Sequence, residues 1–224
     1  MPDVVVTYVE LARDVALTAG PWMIYNSVLA AIPLLLAIGL FHQAGDRRSP
    51  VWWAGVVAFV LFLPNAPYLV TDVIHLRGLL DNHPGTRTSA IVPAGALAAL
   101  IAFGVVAYAV SLALVDRELR RSPGLARHRV LARSVLHLLC AFGVVLGRLP
   151  RLNSWDVLAR PRSAADGVLA VVDPRVVPLV LALAVVFALS AAAVTAVGRA
   201  AWGRTLGVAE AARRWVLTPT VRRR

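Results

Sequence analysis

The sequence predicts an all-α fold: a polytopic transmembrane helix bundle of five spans, or six if an N-terminal apolar stretch also crosses. Three observations predict it. Hydrophobic residues make up 59% of the 224 residues, with a mean hydropathy of +0.73, the level of an integral membrane protein. Five apolar stretches reach the length of about 20 residues that a helix needs to cross a hydrocarbon core. Charged residues fall mostly between those stretches, as expected where hydrocarbon excludes charge.

Residues 1–21 are read as an interfacial segment. The stretch 4–19 is apolar but carries Glu10, Arg13 and Asp14, which suits a helix lying at the headgroups. The opening MPDVVVTYVE lacks the basic n-region of a signal peptide, so insertion is expected to use the first true span. Residues 22–197 form the transmembrane domain, with spans at Trp22–Phe41, Val51–Val70, Ser89–Val115, Val130–Leu149 and Val176–Val197. Small residues four apart, Gly95 and Ala99, Gly143 and Gly147, Ala184 and Ala188, predict close helix packing in spans three, four and five. Residues 198–224 form an Arg-rich tail.

All 23 basic residues are Arg, against 12 acidic ones, for a net charge of +11. Fifteen Arg fall on one side of a five-span topology: Arg47 and Arg48, the group from Arg117 to Arg133, and the C-terminal tail from Arg199 to Arg224. Eight fall on the other. The richer side is expected to be cytoplasmic, which puts the C-terminus inside. The basic charge sits beside spans, where it meets membrane lipids, and so does not argue for nucleic acid. The Arg, Ala and Val bias fits a GC-rich bacterial genome and hence a plasma membrane. Cys140 is the single cysteine, so no intrachain disulfide can form; inside a span it reads as a packing residue.

Span two ends unusually, in LFLPNAPYLVTDVIHLRG, residues 61–78. Asn65, Tyr68, Asp72 and His75 are spaced three, four and three, which on a helix puts them on one face. Pro64 and Pro67 predict a break near Asn65, with Asn65 capping a new helix that Pro67 enters in its first turn. Span four ends in GRLPRLNSWD, residues 147–156. The two motifs are separated by two crossings, so they emerge on the same membrane side, together with the polar start of span one, Tyr25-Asn26-Ser27.

The motifs LPNAPYLVTDVIHL and GR…R-NSWD resemble a bacterial family of multi-span membrane proteins, the domain of unknown function thirteen sixty-one, over roughly residues 22–197. The resemblance implies a membrane location and carries no activity.

The chemistry must therefore come from the residues. Asp72 and His75 offer a general acid/base pair or two metal ligands, the sole candidates for a metal, with Asn65, Asn153 or Asp156 needed to complete a site. Arg148 and Arg151 can hold a phosphate or carboxylate, while Asn65, Tyr68, Asn153 and Asp156 can position a ligand. The bland alternative gives Asn153 and Asp156 to a helix cap, with Asp156 also able to pair with Arg148 or Arg151, and makes Trp155 an interfacial anchor. His137 lies deeper in span four, with no second titratable group evident at its depth. No nucleotide loop, HExxH, GxSxG or Cys-rich motif occurs, and no cofactor is indicated. The expected function is a polar extracytoplasmic pocket that binds or acts on an anionic, membrane-associated ligand. A transporter or an assembly subunit of a membrane complex are the alternatives.

Overall fold

The computed structural model describes residues 2–42, 49–81 and 87–217. Arg47, Arg48 and Arg222 to Arg224, which weigh in the topology, lie outside the described residues, as do the side chains of Arg87, Arg204, Arg213 and Arg214. Every regular element among the described residues is helical. In chain order these are α1 (Pro2–Thr18), α2 (Gly20–Phe41), α3 (Pro50–Phe62), α4 (Asn65–Tyr68), a 3-10 segment (Leu69–His75), α5 (Leu76–Asp81), α6 (Arg87–Arg121), α7 (Pro123–Ala126), α8 (Arg129–Arg148), α9 (Asp156–Ala159), α10 (Pro161–Val171) and α11 (Val177–Leu217). Among the described residues five stretches are long and apolar enough to cross a membrane: Gly20–Phe41, Pro50–Asp81, Ala90–Arg121, Arg129–Arg148 and Val177–Trp202. α1 is not among them.

α6 is the central helix, packed on α1, α2, α4, α5, α8, α11 and the 3-10 segment. Its buried face, Leu97, Leu100, Gly104, Ala107, Tyr108, Ser111 and Leu112, recurs with the helical period. Gly104 is where α4 and the start of the 3-10 segment press on α6. A Cβ there would lie 2.5 Å from the Ala66 carbonyl oxygen and 2.8 Å from the Leu69 Cβ. On the other flank Tyr108 meets Phe187 of α11 edge-on, with ring centroids 6.2 Å apart. At the end where α2 hands over to α3, the Ser49 hydroxyl caps α3 by accepting the Trp52 N–H at 3.2 Å. There Asp116 near the end of α6 pairs with Arg120 at 2.8 Å and reaches Arg129 of α8 at 3.6 Å.

The small-residue pairs divide. Gly143 and Gly147 of α8 face the proline break, since a Cβ would lie 2.6 Å from the Pro64 ring and 3.2 Å from the Tyr68 ring respectively. Ala184 of α11 is buried. Gly95 and Ala99 are exposed and a Cβ on Gly95 would meet nothing within 4 Å, so that pair is no packing seam within the chain.

Span two departs from its expected course. It runs on past Val70 to Asp81, and its prolines tighten the helix without turning it aside: Leu63, Pro64 and Leu69 all keep right-handed helical dihedrals. Pro67 has no N–H to give the Leu63 carbonyl, which accepts from Ala66 at 3.2 Å instead. That shift frees the Phe62 carbonyl, and Asn65 Nδ2 donates to it at 2.9 Å. Asn65 is therefore the first residue of α4 and mends a broken carbonyl ladder; it is not the N-cap the sequence suggested, a place held by Pro64 with no side-chain cap bond.

Candidate functional site

Asn65 makes a second bond, from Nδ2 to the Ser154 hydroxyl at 3.0 Å. It ties the break in span two to the NSWD loop after α8. The 3-10 geometry that follows eclipses residues three apart, so Leu69, Asp72 and His75 stand in one row. Leu69 and Asp72 are buried and His75, at the row's end, is about half exposed.

Asp72 is 1% exposed and is joined to Arg148 by a short charge-assisted hydrogen bond from Nη2 to Oδ1. The same guanidinium donates to the Thr71 hydroxyl from Nε at 2.9 Å and from Nη2 at 2.7 Å. The Thr71 hydroxyl in turn donates a hydrogen bond to the Tyr68 carbonyl at 2.6 Å, another acceptor of the tightened helix. Arg148 also lies over the Tyr68 ring, 3.9 Å from its centroid, a cation–π contact. Among the described residues no hydrogen-bond donor reaches Asp72 Oδ2. His75 Nε2 is 3.9 Å from Asp72 Oδ1, beyond hydrogen-bond range, and its ring leans on Trp22 with centroids 5.1 Å apart.

A cavity of about 680 Å³ opens beside this network. Tyr25 and Asn26 of α2, Asn65, Tyr68 and His75 of span two, Arg148, and Arg151, Asn153 and Ser154 of the loop form its polar part. Leu29, Val60, Leu61, Leu139, Phe142 and Leu146 continue it along the spans as an apolar wall. Among the described residues no Asp or Glu lines it. Arg151 has a positive φ of 58°, the left-handed region that costs a side chain about 1–2 kcal/mol and that glycine occupies freely.

Of the residues singled out from the sequence, Asn65, Tyr68, His75, Arg148, Arg151 and Asn153 share this cavity, whereas Asp72 and Asp156 do not line it. Asp156 is held within its own loop. Its Oδ2 accepts the Asn153 backbone N–H at 2.7 Å, half of the expected capping box, and its Oδ1 accepts Arg160 Nη2 at 2.6 Å. The Asn153 N–H first, and the Arg160 guanidinium after it, hold the Asp156 carboxyl below the ordinary carboxylate range against the opposing effect of burial. Its ion-pair partner is Arg160, four residues on, and neither Arg148 nor Arg151.

Among the described residues no third His, Cys, Asp or Glu joins Asp72 and His75, and a guanidinium already occupies Oδ1 of Asp72. Thr71, Ser154, Trp22 and Arg160 were not singled out from the sequence; the i,i+4 spacing of Asp156 and Arg160 was the one available signal. His137 has a partner after all. Tyr108 of α6 meets its Nδ1 at 2.7 Å, deep in the bundle and away from the cavity lining.

Residues 25–190 match the family model described as "Protein of unknown function (DUF1361)". Neither a curated protein nor a solved structure matches the chain.

Proposed function

We propose that this chain, which belongs to the DUF1361 family, binds an anionic, membrane-associated ligand in the cavity between α2, span two and the NSWD loop. The observation that carries this is the lining: two arginines, several neutral donors, no carboxylate, and an apolar wall continuing into the spans. A ligand with an anionic head and a hydrocarbon body matches both parts. Because Asp72 already neutralises Arg148, the free positive charge among the described lining residues belongs to Arg151. Its left-handed backbone adds support, since strain at an exposed arginine beside a cavity holds a side chain that folding alone does not require. Asp72 then serves to fix Arg148 and Tyr68. His75 is the group left facing the cavity for acid–base chemistry on a bound ligand.

Arg151→Gly tests this cleanly. It relieves the left-handed strain, so the thermal midpoint in detergent should hold or rise, offset in part by the larger entropy of an unfolded glycine. Binding of short-chain phosphatidic acid should fall by roughly tenfold or more, the worth of a charged hydrogen bond. Unchanged binding would leave Arg151 an interfacial charge and remove the basis for an anionic ligand.

A permease is the second reading, favoured by the interrupted span two and by the buried Tyr108–His137 pair. It has less support because that pair does not line the cavity. The membrane we assign is a bacterial plasma membrane, with the Arg-rich C-terminus cytoplasmic. A phosphatase reporter fused after Arg224 should be inactive and a fluorescent one bright; the reverse pattern would invert the topology and put the cavity on the cytoplasmic face.

A further inference from the structure

A second hollow, of about 460 Å³, lies on the far side of Phe142. It is formed by Leu138 and Phe142 of α8, by Val171 and Val172 at the end of α10, and by Val177, Val180 and Leu181 of α11. Asp173 is its single charged lining residue, and the Arg175 backbone N–H already holds that carboxylate at 2.8 Å. Apart from Asp173, the hollow's described lining is apolar, a poor place for a polar ligand and a good one for hydrocarbon.

Its position links it to the first cavity. Phe142 lines both. Leu139 lines the first and Leu138 the second, so α8 offers adjacent faces to the two. On α10, Ala164 and Val168 line the first, and Val171, three residues on and on the same helical face, lines the second. One side of α10 therefore roofs both hollows, with the Phe142 ring standing between them. Bulk lipid alone accounts for an apolar groove, but not for one that shares a wall and a roof with an arginine-lined cavity.

We infer that the ligand is a long-chain anionic lipid whose headgroup sits by Arg151 and whose hydrocarbon tail passes Phe142 into the second hollow. This rests on the anionic-ligand reading above and adds the tail as a recognised part. The charged end gives orientation, and the tail gives discrimination between lipids of different chain length by packing in the hollow, since in a membrane its gain over bulk lipid is van der Waals fit and not transfer from water.

The test uses the full chain in detergent, with dioleoyl phosphatidic acid, dihexanoyl phosphatidic acid and inorganic phosphate as probes. Leu181→Trp and Val172→Trp each fill the second hollow from an exposed position. Both should weaken the dioleoyl probe by about tenfold, the scale of a steric penalty for overfilling an apolar site, and leave the dihexanoyl probe unchanged. Retained dihexanoyl binding also certifies the fold of each variant. Unchanged dioleoyl binding in both variants overturns the tail site while leaving the anion site standing. Equal loss of both lipids in both variants also overturns it, because the hollow then does not read chain length. Failure of the unmodified protein to bind any of the three probes removes the anion site itself, and the tail site with it.

Discussion

Arg148→Gln is expected to destabilise the folded protein by about 3–5 kcal/mol, because it strands the buried Asp72 carboxylate without its counter-ion. The loss compounds itself. The same guanidinium satisfies Thr71 and covers the Tyr68 ring, so three residues of span two lose a partner together. Adding Asp72→Asn should recover much of the loss, since an amide is far cheaper to bury than a lone carboxylate. Chemical denaturation in mixed micelles would show the midpoint falling for the single variant and rising again for the double. A single variant as stable as the parent would mean that the pair is solvated and that Asp72 carries no buried charge.

Gly104→Ala is the second large effect. In an ordinary helix this change stabilises by up to about 1 kcal/mol. Here the added methyl meets a backbone oxygen at 2.5 Å and cannot be accommodated by rotating a side chain. A cost of about 1–3 kcal/mol is expected, toward the upper end because the 3-10 segment must move away from α6. Gly95→Ala in the same helix is the matched control, with open space around its Cβ, and should be neutral or slightly stabilising. If the two substitutions behave alike, the close approach of span two to α6 is wrong. The measurement is the same denaturation midpoint, with the abundance of folded protein in membranes as a second readout.

The spans were readable in the sequence because crossing hydrocarbon demands the exclusion of charge all along a helix, and a run such as residues 176–197 carries none, with only Ser190 and Thr195 polar. The polar ends of spans two and four were readable for the opposite reason, as departures from that demand. Partners were harder. Asp72 and Arg148 are 76 residues apart, and nothing local to either names the other. Tyr108 reads as one more aromatic in an apolar helix until α8 is laid beside it, 29 residues later. Asn65 was misassigned because a proline-flanked Asn has two ways of satisfying a free backbone group. It can accept an N–H ahead of it or donate to a carbonyl behind it, and the removal of proline donors makes the carbonyl the needier party. Asp156 drew attention to distant arginines when a nearer one stood a single turn away.

The separation of Asp72 from Arg148 has a consequence during synthesis. Span two leaves the ribosome with an acidic side chain near its end, and the guanidinium that neutralises it is 76 residues from being made. At a synthesis rate of about 5–20 residues per second that interval is roughly 4–15 s. The Asn65 amide and its Ser154 partner, 89 residues apart, meet later still. Throughout that time Asp72 must rest at the level of water and headgroups or inside the insertion machinery. The Arg148 partner therefore favours span two settling to its final depth after span four has been made.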